Sequence, residues 1–71
     1  MEVAERLLEL RKSRNLTQRQ VYTGIDMSPI GYQRYEYGER KPGYDQLIKL
    51  ADFYNVSIDY LVGRSDNPTR L

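Results

Sequence analysis

One local pattern occurs three times in this 71-residue chain: an apolar residue, a hydroxyl residue, then a second apolar residue four positions later. The three copies are Leu16-Thr17 with Val21, Met27-Ser28 with Tyr32, and Val56-Ser57 with Leu61. In each, the hydroxyl is placed to accept a free N–H in the first turn of a helix, and the flanking apolar pair can staple the entering chain to that turn. Gln20, three residues after Thr17, completes a capping box. Pro29, directly after Ser28, sits where a helix needs no N–H and a fixed φ is helpful. A chain punctuated this often folds as short helices joined by tight turns.

The remaining periodicity fills in the rest. Val3, Leu7 and Leu10 recur at helical spacing and predict a first helix over about residues 2–14, broken by Asn15. The second helix runs from Gln18 to about Ile25, and the third from Pro29 to about Tyr37, stopping at Gly38. Gly43 opens a fourth, with Leu47, Leu50, Ala51 and Tyr54 on one stripe, ending near Asn55. Ser57 starts a short fifth that stops at Gly63. No segment alternates as a strand does. The expected fold is all-α, a five-helix domain over residues 1–63 with a polar, flexible tail over 64–71. Its core is expected from Val3, Leu7, Leu10, Val21, Ile25, Leu47, Leu50, Ala51, Phe53 and Leu61, with Tyr32, Tyr35, Tyr54 and Tyr60. Tyrosine in such a core commonly sends its hydroxyl to water.

Composition excludes several functions. Cysteine and histidine are both absent, which removes disulfides, thiol nucleophiles, the usual zinc ligands and imidazole acid–base chemistry. No pair of acids is spaced for catalysis, so no catalytic residue, metal or cofactor is expected, no small-molecule substrate is evident, and the chain reads as a non-enzyme. Apolar residues, 39% of the chain, never run long enough for a membrane span or a signal-peptide core, and a cytoplasmic protein is expected. The net charge is only +1, but residues 1–20 hold five basic against three acidic groups, so positive potential leans toward the first part of the chain.

Helices two and three, joined by a tight turn at Asp26-Met27, have the outline of a helix-turn-helix. With about 100° of rotation per residue, Tyr32 and Tyr35 on the inward side of helix three leave Ile30, Arg34 and Tyr37 facing outward and Gln33 on the flank. Arg40-Lys41 follow directly. That combination suits a groove lined by phosphates: Arg34 can donate twice to guanine O6 and N7, and Ile30 can meet a thymine methyl.

Residues Arg6 to Gly63 resemble the lambda-repressor-like, XRE-family helix-turn-helix domain. The resemblance is carried by Arg6-Leu7, Leu10-Arg11, Leu16-Thr17-Gln18, Ser28, Arg34-Tyr35-Glu36, Gly38, Lys41-Pro42 and the block LIKLADFYNVSIDYLVG from Leu47 to Gly63. It implies a DNA-binding transcriptional regulator, of repressor type, with helix three in the major groove of an operator. It further implies that Gln18 and the backbone N–H groups at the start of helix two clamp phosphate, and that Pro29, Ile30 and Arg34 face base edges; Thr17 and Ser28, caps first, and Gln33 on the flank are counted with them as DNA-binding candidates. Tyr37, Arg40 and Lys41 match backbone-contacting positions, and Arg11 and Glu36 match an ion pair tying helix one to helix three. Many relatives pair through their C-terminal end. Leu8, Ile58, Tyr60 and Val62 supply extra apolar surface, so a homodimer on a palindromic double-stranded site is expected.

The sequence departs from the family pattern at three places. Tyr22 stands where a small residue is usual, and Gly31 can open a slot for its ring. Asp26 stands where glycine is usual in the turn, and aspartate tolerates the left-handed region. Pro29-Ile30-Gly31 gives helix three an apolar first turn, which moves direct readout toward Arg34, assisted by Gln33. The near-neutral charge and that apolar turn favour one alternative, a helical protein-binding module such as an antitoxin or anti-repressor partner.

Overall fold

The computed structural model describes residues 2–70 and contains five helices: α1 (Val3–Ser13), α2 (Gln18–Gly24), α3 (Pro29–Glu36), α4 (Tyr44–Tyr54) and α5 (Ile58–Leu61). No strand occurs among the described residues. The hydroxyl caps operate as the sequence predicts. Thr17 Oγ1 accepts from Gln20 N–H at 3.1 Å while Gln20 Oε1 accepts from Thr17 N–H at 2.8 Å. Ser28 and Ser57 accept from the N–H groups of Gly31 and Tyr60, at 3.1 and 3.0 Å.

What precedes those caps is equally regular. Asn15, Asp26 and Asn55 adopt positive φ, at 56°, 55° and 55°, immediately before the apolar residues Leu16, Met27 and Val56. Each apolar residue donates its N–H five residues back, to Arg11, Tyr22 and Ala51 respectively. This is the Schellman closure of a helix end, in which a left-handed residue lets the chain reverse and satisfy a carbonyl. The three corners therefore share one sequence: a left-handed Asn or Asp, an apolar plug, and a hydroxyl cap. Gly38 and Gly63, with φ of 76° and 81°, close α3 and α5 in the same way.

The corners fold α1 against α3 and α5, α2 against α3, and α4 against α5. Leu7, Leu10, Val21, Ile25, Tyr32, Tyr35, Leu50, Ala51, Tyr54 and Leu61 are buried at the centre, as expected. Val56, one of the corner plugs, is buried with them. Val3, Leu47, Phe53 and Tyr60 pack at the periphery and are only partly buried. The hydroxyls of Tyr32 and Tyr54 do not reach water: both are buried without a hydrogen-bond partner, because the rings lie at the centre of the core.

Two close approaches differ from expectation. Tyr22 is half-buried against the core, but the space beside Gly31 is not its slot. A Cβ at Gly31 would lie 2.9 Å from Ser28 Oγ and 3.4 Å from the Met27 methyl, so this glycine makes room for the corner that starts its own helix. The glycine that brings helices together is Gly24, where a Cβ would overlap the Phe53 ring of α4. The tail also has a defined course across α4 and α5. Pro68 O accepts from Ser57 N–H at 3.1 Å, and Arg70 donates to Ala51 O and Asp52 Oδ1 at 3.2 and 2.6 Å. Asp66 meets Arg6 at 3.4 Å; Arg6 is only 4% exposed and stacks 3.7 Å from the Tyr60 ring centroid.

The corners yield a stability ranking at Asp26, whose φ is left-handed. Asp26→Gly should leave stability near the native value. Asp26→Ala should lower it by about 1 kcal/mol, and Asp26→Val by more, because a Cβ without a local polar partner disfavours this region. Urea unfolding of the three variants checks the order.

Candidate nucleic-acid interface

α3 is anchored along one side only. Tyr32 is fully buried, Tyr35 nearly so, and the Glu36 side chain is 2% exposed. The opposite side is open: Ile30 and Tyr37 are each 64% exposed, and Ser28, Pro29 and Arg34 are exposed with them. Gln33, on the flank, is half-buried. The outward side inferred from helical rotation is thus the side without packing partners. After Gly38 the chain doubles back, with Glu39 and Arg40 N–H groups donating to Arg34 O at 2.9 and 3.3 Å. That return leaves Arg40 and Lys41 exposed beyond the C-terminal end of α3, where they line a crevice with Tyr35, Gly38 and the start of α1. Arg34, Arg40 and Lys41 make no ion pair among the described residues.

The other edge of the surface is the start of α2, where Thr17 is exposed and Gln18 half-buried. Gln18 joins the two helices: its Nε2 donates to Glu36 Oε1 at 3.3 Å, and its Oε1 accepts from Gln33 Nε2 at 3.4 Å. Thr17 and Gln18 are therefore contiguous with α3. The link between Gln18 and Gln33 is not visible in the sequence, since 15 residues separate them.

Beneath this surface lies the ion pair. Arg11 Nε and Nη2 donate to the two oxygens of Glu36 at 2.8 and 2.9 Å, a two-pronged contact, and Arg11 Nη1 donates to Leu16 O at 3.0 Å. The Arg11 side chain is 15% exposed. One guanidinium therefore ties α1, the first corner and the end of α3 together. Burial opposes ionisation of Glu36, but the bonds from Arg11 first, then the nearby Tyr32 hydroxyl and the Gln18 amide, outweigh burial and hold its carboxyl below the ordinary 4.5. The bond to Glu36 raises Arg11 in turn. Burial is the main cause pushing the Tyr32 and Tyr54 hydroxyls up, so both rings stay neutral. The Tyr32 hydroxyl is near enough to Glu36 to favour its anion, yet it makes no hydrogen bond of good geometry.

No group of acidic residues is arranged to hold a metal ion among the described residues, and no helix there is long and apolar enough to cross a membrane. Crevices among the described residues include one at the start of α1, lined by Glu2, Glu5, Tyr35, Arg40 and Lys41. Another, between α2 and α4, is lined by Gly24, Ile25, Asp26, Lys49, Asp52 and Phe53.

Comparison with known proteins agrees with this geometry. The helix-turn-helix family model matches residues 7–61. The chain is 44% identical over 64 residues to the cryptic phage CTXphi transcriptional repressor RstR of Vibrio cholerae. It is 41% identical over 64 residues to the HTH-type transcriptional regulator YobD of Bacillus subtilis. Each alignment covers 90% of this chain and 57% of the relative, so the chain spans a little over half the length of these curated relatives. Among solved structures, a transcriptional regulator from Listeria innocua superposes with a TM-score of 0.80 at 35% identity, over 87% of this chain and 58% of that one. The P22 c2 repressor, solved with a synthetic operator, superposes with a TM-score of 0.83 over 92% of this chain and 98% of its own. Its identity is 23%, and that likeness bears on the fold alone.

The buried pair sets an acid limit on the arrangement. A carboxyl whose folded value is depressed contributes its full stability above the unfolded value, near 4.5 here, and loses it as pH falls through the folded value. Unfolding free energy should therefore fall below about pH 4.5, and Glu36→Gln should lack that component of the slope. At neutral pH Glu36→Gln should cost about 3–5 kcal/mol, since it leaves the Arg11 charge unpaired, whereas the double variant Arg11→Met/Glu36→Leu should cost less. Urea unfolding between pH 3 and 7 measures both effects.

Proposed function

Because this chain belongs to the XRE-type, lambda-repressor-like helix-turn-helix family, a family of DNA-binding regulators and not of enzymes, we propose that it is a sequence-specific transcriptional regulator that represses by occupying an operator. The observation that carries this reading is the unpacked side of α3, where Ile30, Arg34 and Tyr37 stand clear of the core, with Arg40 and Lys41 exposed in the loop that follows the helix. In this reading α3 lies in the major groove. Arg34 donates to guanine, Gln33 assists, and Ile30 with Pro29 makes apolar contact at the base edges. Ser28 caps the helix, and its exposed end borders the groove. Thr17 and Gln18 at the start of α2, with Tyr37, Arg40 and Lys41 beyond α3, hold the phosphate backbone on either side.

One such helix covers too little DNA for tight specific binding, so the protein acts as a homodimer. Two α3 helices about 34 Å apart then read a palindromic operator in the cytoplasm. The repressor named for Vibrio cholerae and the regulator named for Bacillus subtilis support the regulatory role by similarity over the shared segment.

Band shifts over a salt series test the assignment. Arg34→Ala should weaken binding to the preferred duplex by about 1–3 kcal/mol and relax its sequence preference. Lys41→Ala should weaken all duplexes alike and reduce the slope of log K against log salt by about one. Identical sequence profiles and slopes for the two variants would overturn the division of roles. Failure of the native protein to retain any duplex at micromolar concentration and low salt would overturn the function.

A further inference from the structure

Building on the DNA-binding reading, we propose that the crevice between the start of α1 and the loop after α3 is a built-in brake on duplex binding, in which the carboxylates of Glu2 and Glu5 compete with DNA phosphate for Arg40 and Lys41. The brake sets how tightly the basic loop holds a duplex, and it weakens as salt rises.

The crevice joins charges of opposite sign. The start of α1 contributes Glu2 and Glu5 to its lining, the loop contributes Arg40 and Lys41, and the nearly buried Tyr35 of α3 borders it. The two segments meet at Gly38, where a Cβ would lie 3.7 Å from Ala4 Cβ. All four charged residues are exposed, yet no ion pair spans the crevice among the described residues. The space between them, about 270 Å³, has room for several waters. The carboxylates are there for a local reason. Glu2 N–H donates to Glu5 Oε1 at 3.3 Å, and negative charge in a first turn suits the helix dipole. The helix start therefore fixes acidic groups beside the basic loop, near enough to attract it and not closed upon it.

That placement gives Arg40 and Lys41 two competing sources of anions. In the DNA-binding reading they hold phosphate, and a phosphate that approaches them also meets the field of Glu2 and Glu5. Each cation is partly neutralised by the chain's own carboxylates before DNA arrives, so it has less counterion to give up on binding. Across a wet gap such attractions are modest, and salt screens them beyond about 8 Å at physiological ionic strength. The acids thus lower affinity most at low salt and flatten the salt dependence of the whole domain.

The test is a mutant cycle read as duplex affinity at several salt concentrations. Glu2→Gln/Glu5→Gln removes both charges, and the amide at residue 5 can still accept the N–H of residue 2. At low salt this variant should bind preferred and random duplexes alike about three- to tenfold more tightly, with a slope of log K against log salt steeper by about one. Made in the Arg40→Ala/Lys41→Ala background, the same two substitutions should lose most of that gain. Where that background retains too little duplex to measure, Lys41→Ala takes its place, and the gain should still be smaller than in the native background. An equal gain in both backgrounds would reflect net charge alone and would overturn the proposal. Urea unfolding verifies that the variants are folded. Retention of no duplex by the native chain at micromolar concentration and low salt would refute the DNA-binding reading, and the brake with it; retention with no gain in the glutamine variant would refute the brake alone.

Discussion

A single buried guanidinium–carboxylate contact sets the orientation of α3. Arg11 and Glu36 lie 25 residues apart, and their two-pronged bond, at 2.8 and 2.9 Å, connects the last turn of α1 to the last turn of α3. Apolar packing of Tyr32 and Tyr35 fixes which side of α3 faces inward, but rings alone tolerate sliding along the helix axis. A planar fork meeting a carboxylate does not, because both distances must be satisfied together. The third arm of Arg11, on Leu16 O, brings the first corner into the same constraint. The exposed side of α3 is consequently held in register with the start of α2.

The three Asn/Asp–apolar–hydroxyl corners explain how so small a core suffices. A chain of this size buries little apolar surface, and each loop that wanders costs conformational entropy. At residues 15–17, 26–28 and 55–57 the closure of one helix and the cap of the next are consecutive, so the connections contain almost no unassigned backbone. Leu16, Met27 and Val56 plug the corners against the core, which converts turn residues into packing residues. The left-handed φ of Asn15, Asp26 and Asn55 is a cost that their short polar side chains keep small.

These local rules explain why so much of the fold was legible. Capping chemistry and helical spacing act within four or five residues, so Thr17, Ser28, Ser57, Gly38 and the inward tyrosines of α3 could be read directly from the sequence. The Arg11–Glu36 pair is long-range and was reachable only through family resemblance. Contacts that depend on where helices meet left no comparable signal. Gly24 looks like an ordinary helix-end glycine until Phe53 is placed over it. Arg6 and Asp66 are 60 residues apart, and the course of the tail over α4 and α5 depends on Ser57 N–H at the start of α5 and Ala51 O near the end of α4. Gln18 was legible as a helix-start residue, but its bonds to Glu36 and Gln33 required the packing of α2 on α3.

The corner that starts α3 also shapes what α3 can read. Ser28 must keep its hydroxyl on Gly31 N–H, and with the Met27 methyl it occupies the space a side chain at residue 31 would need. Pro29, before it, has no donor and serves the first helical position. The first turn is therefore committed to closing the corner, and only Ile30 there has a side chain free to meet a base edge. In the proposed DNA-binding reading, hydrogen-bonding readout therefore moves one turn along, to Gln33 and Arg34, beside the Glu36 that Arg11 holds. The tight entry that stabilises α3 and the absence of polar side chains at Pro29, Ile30 and Gly31 thus belong to the same corner.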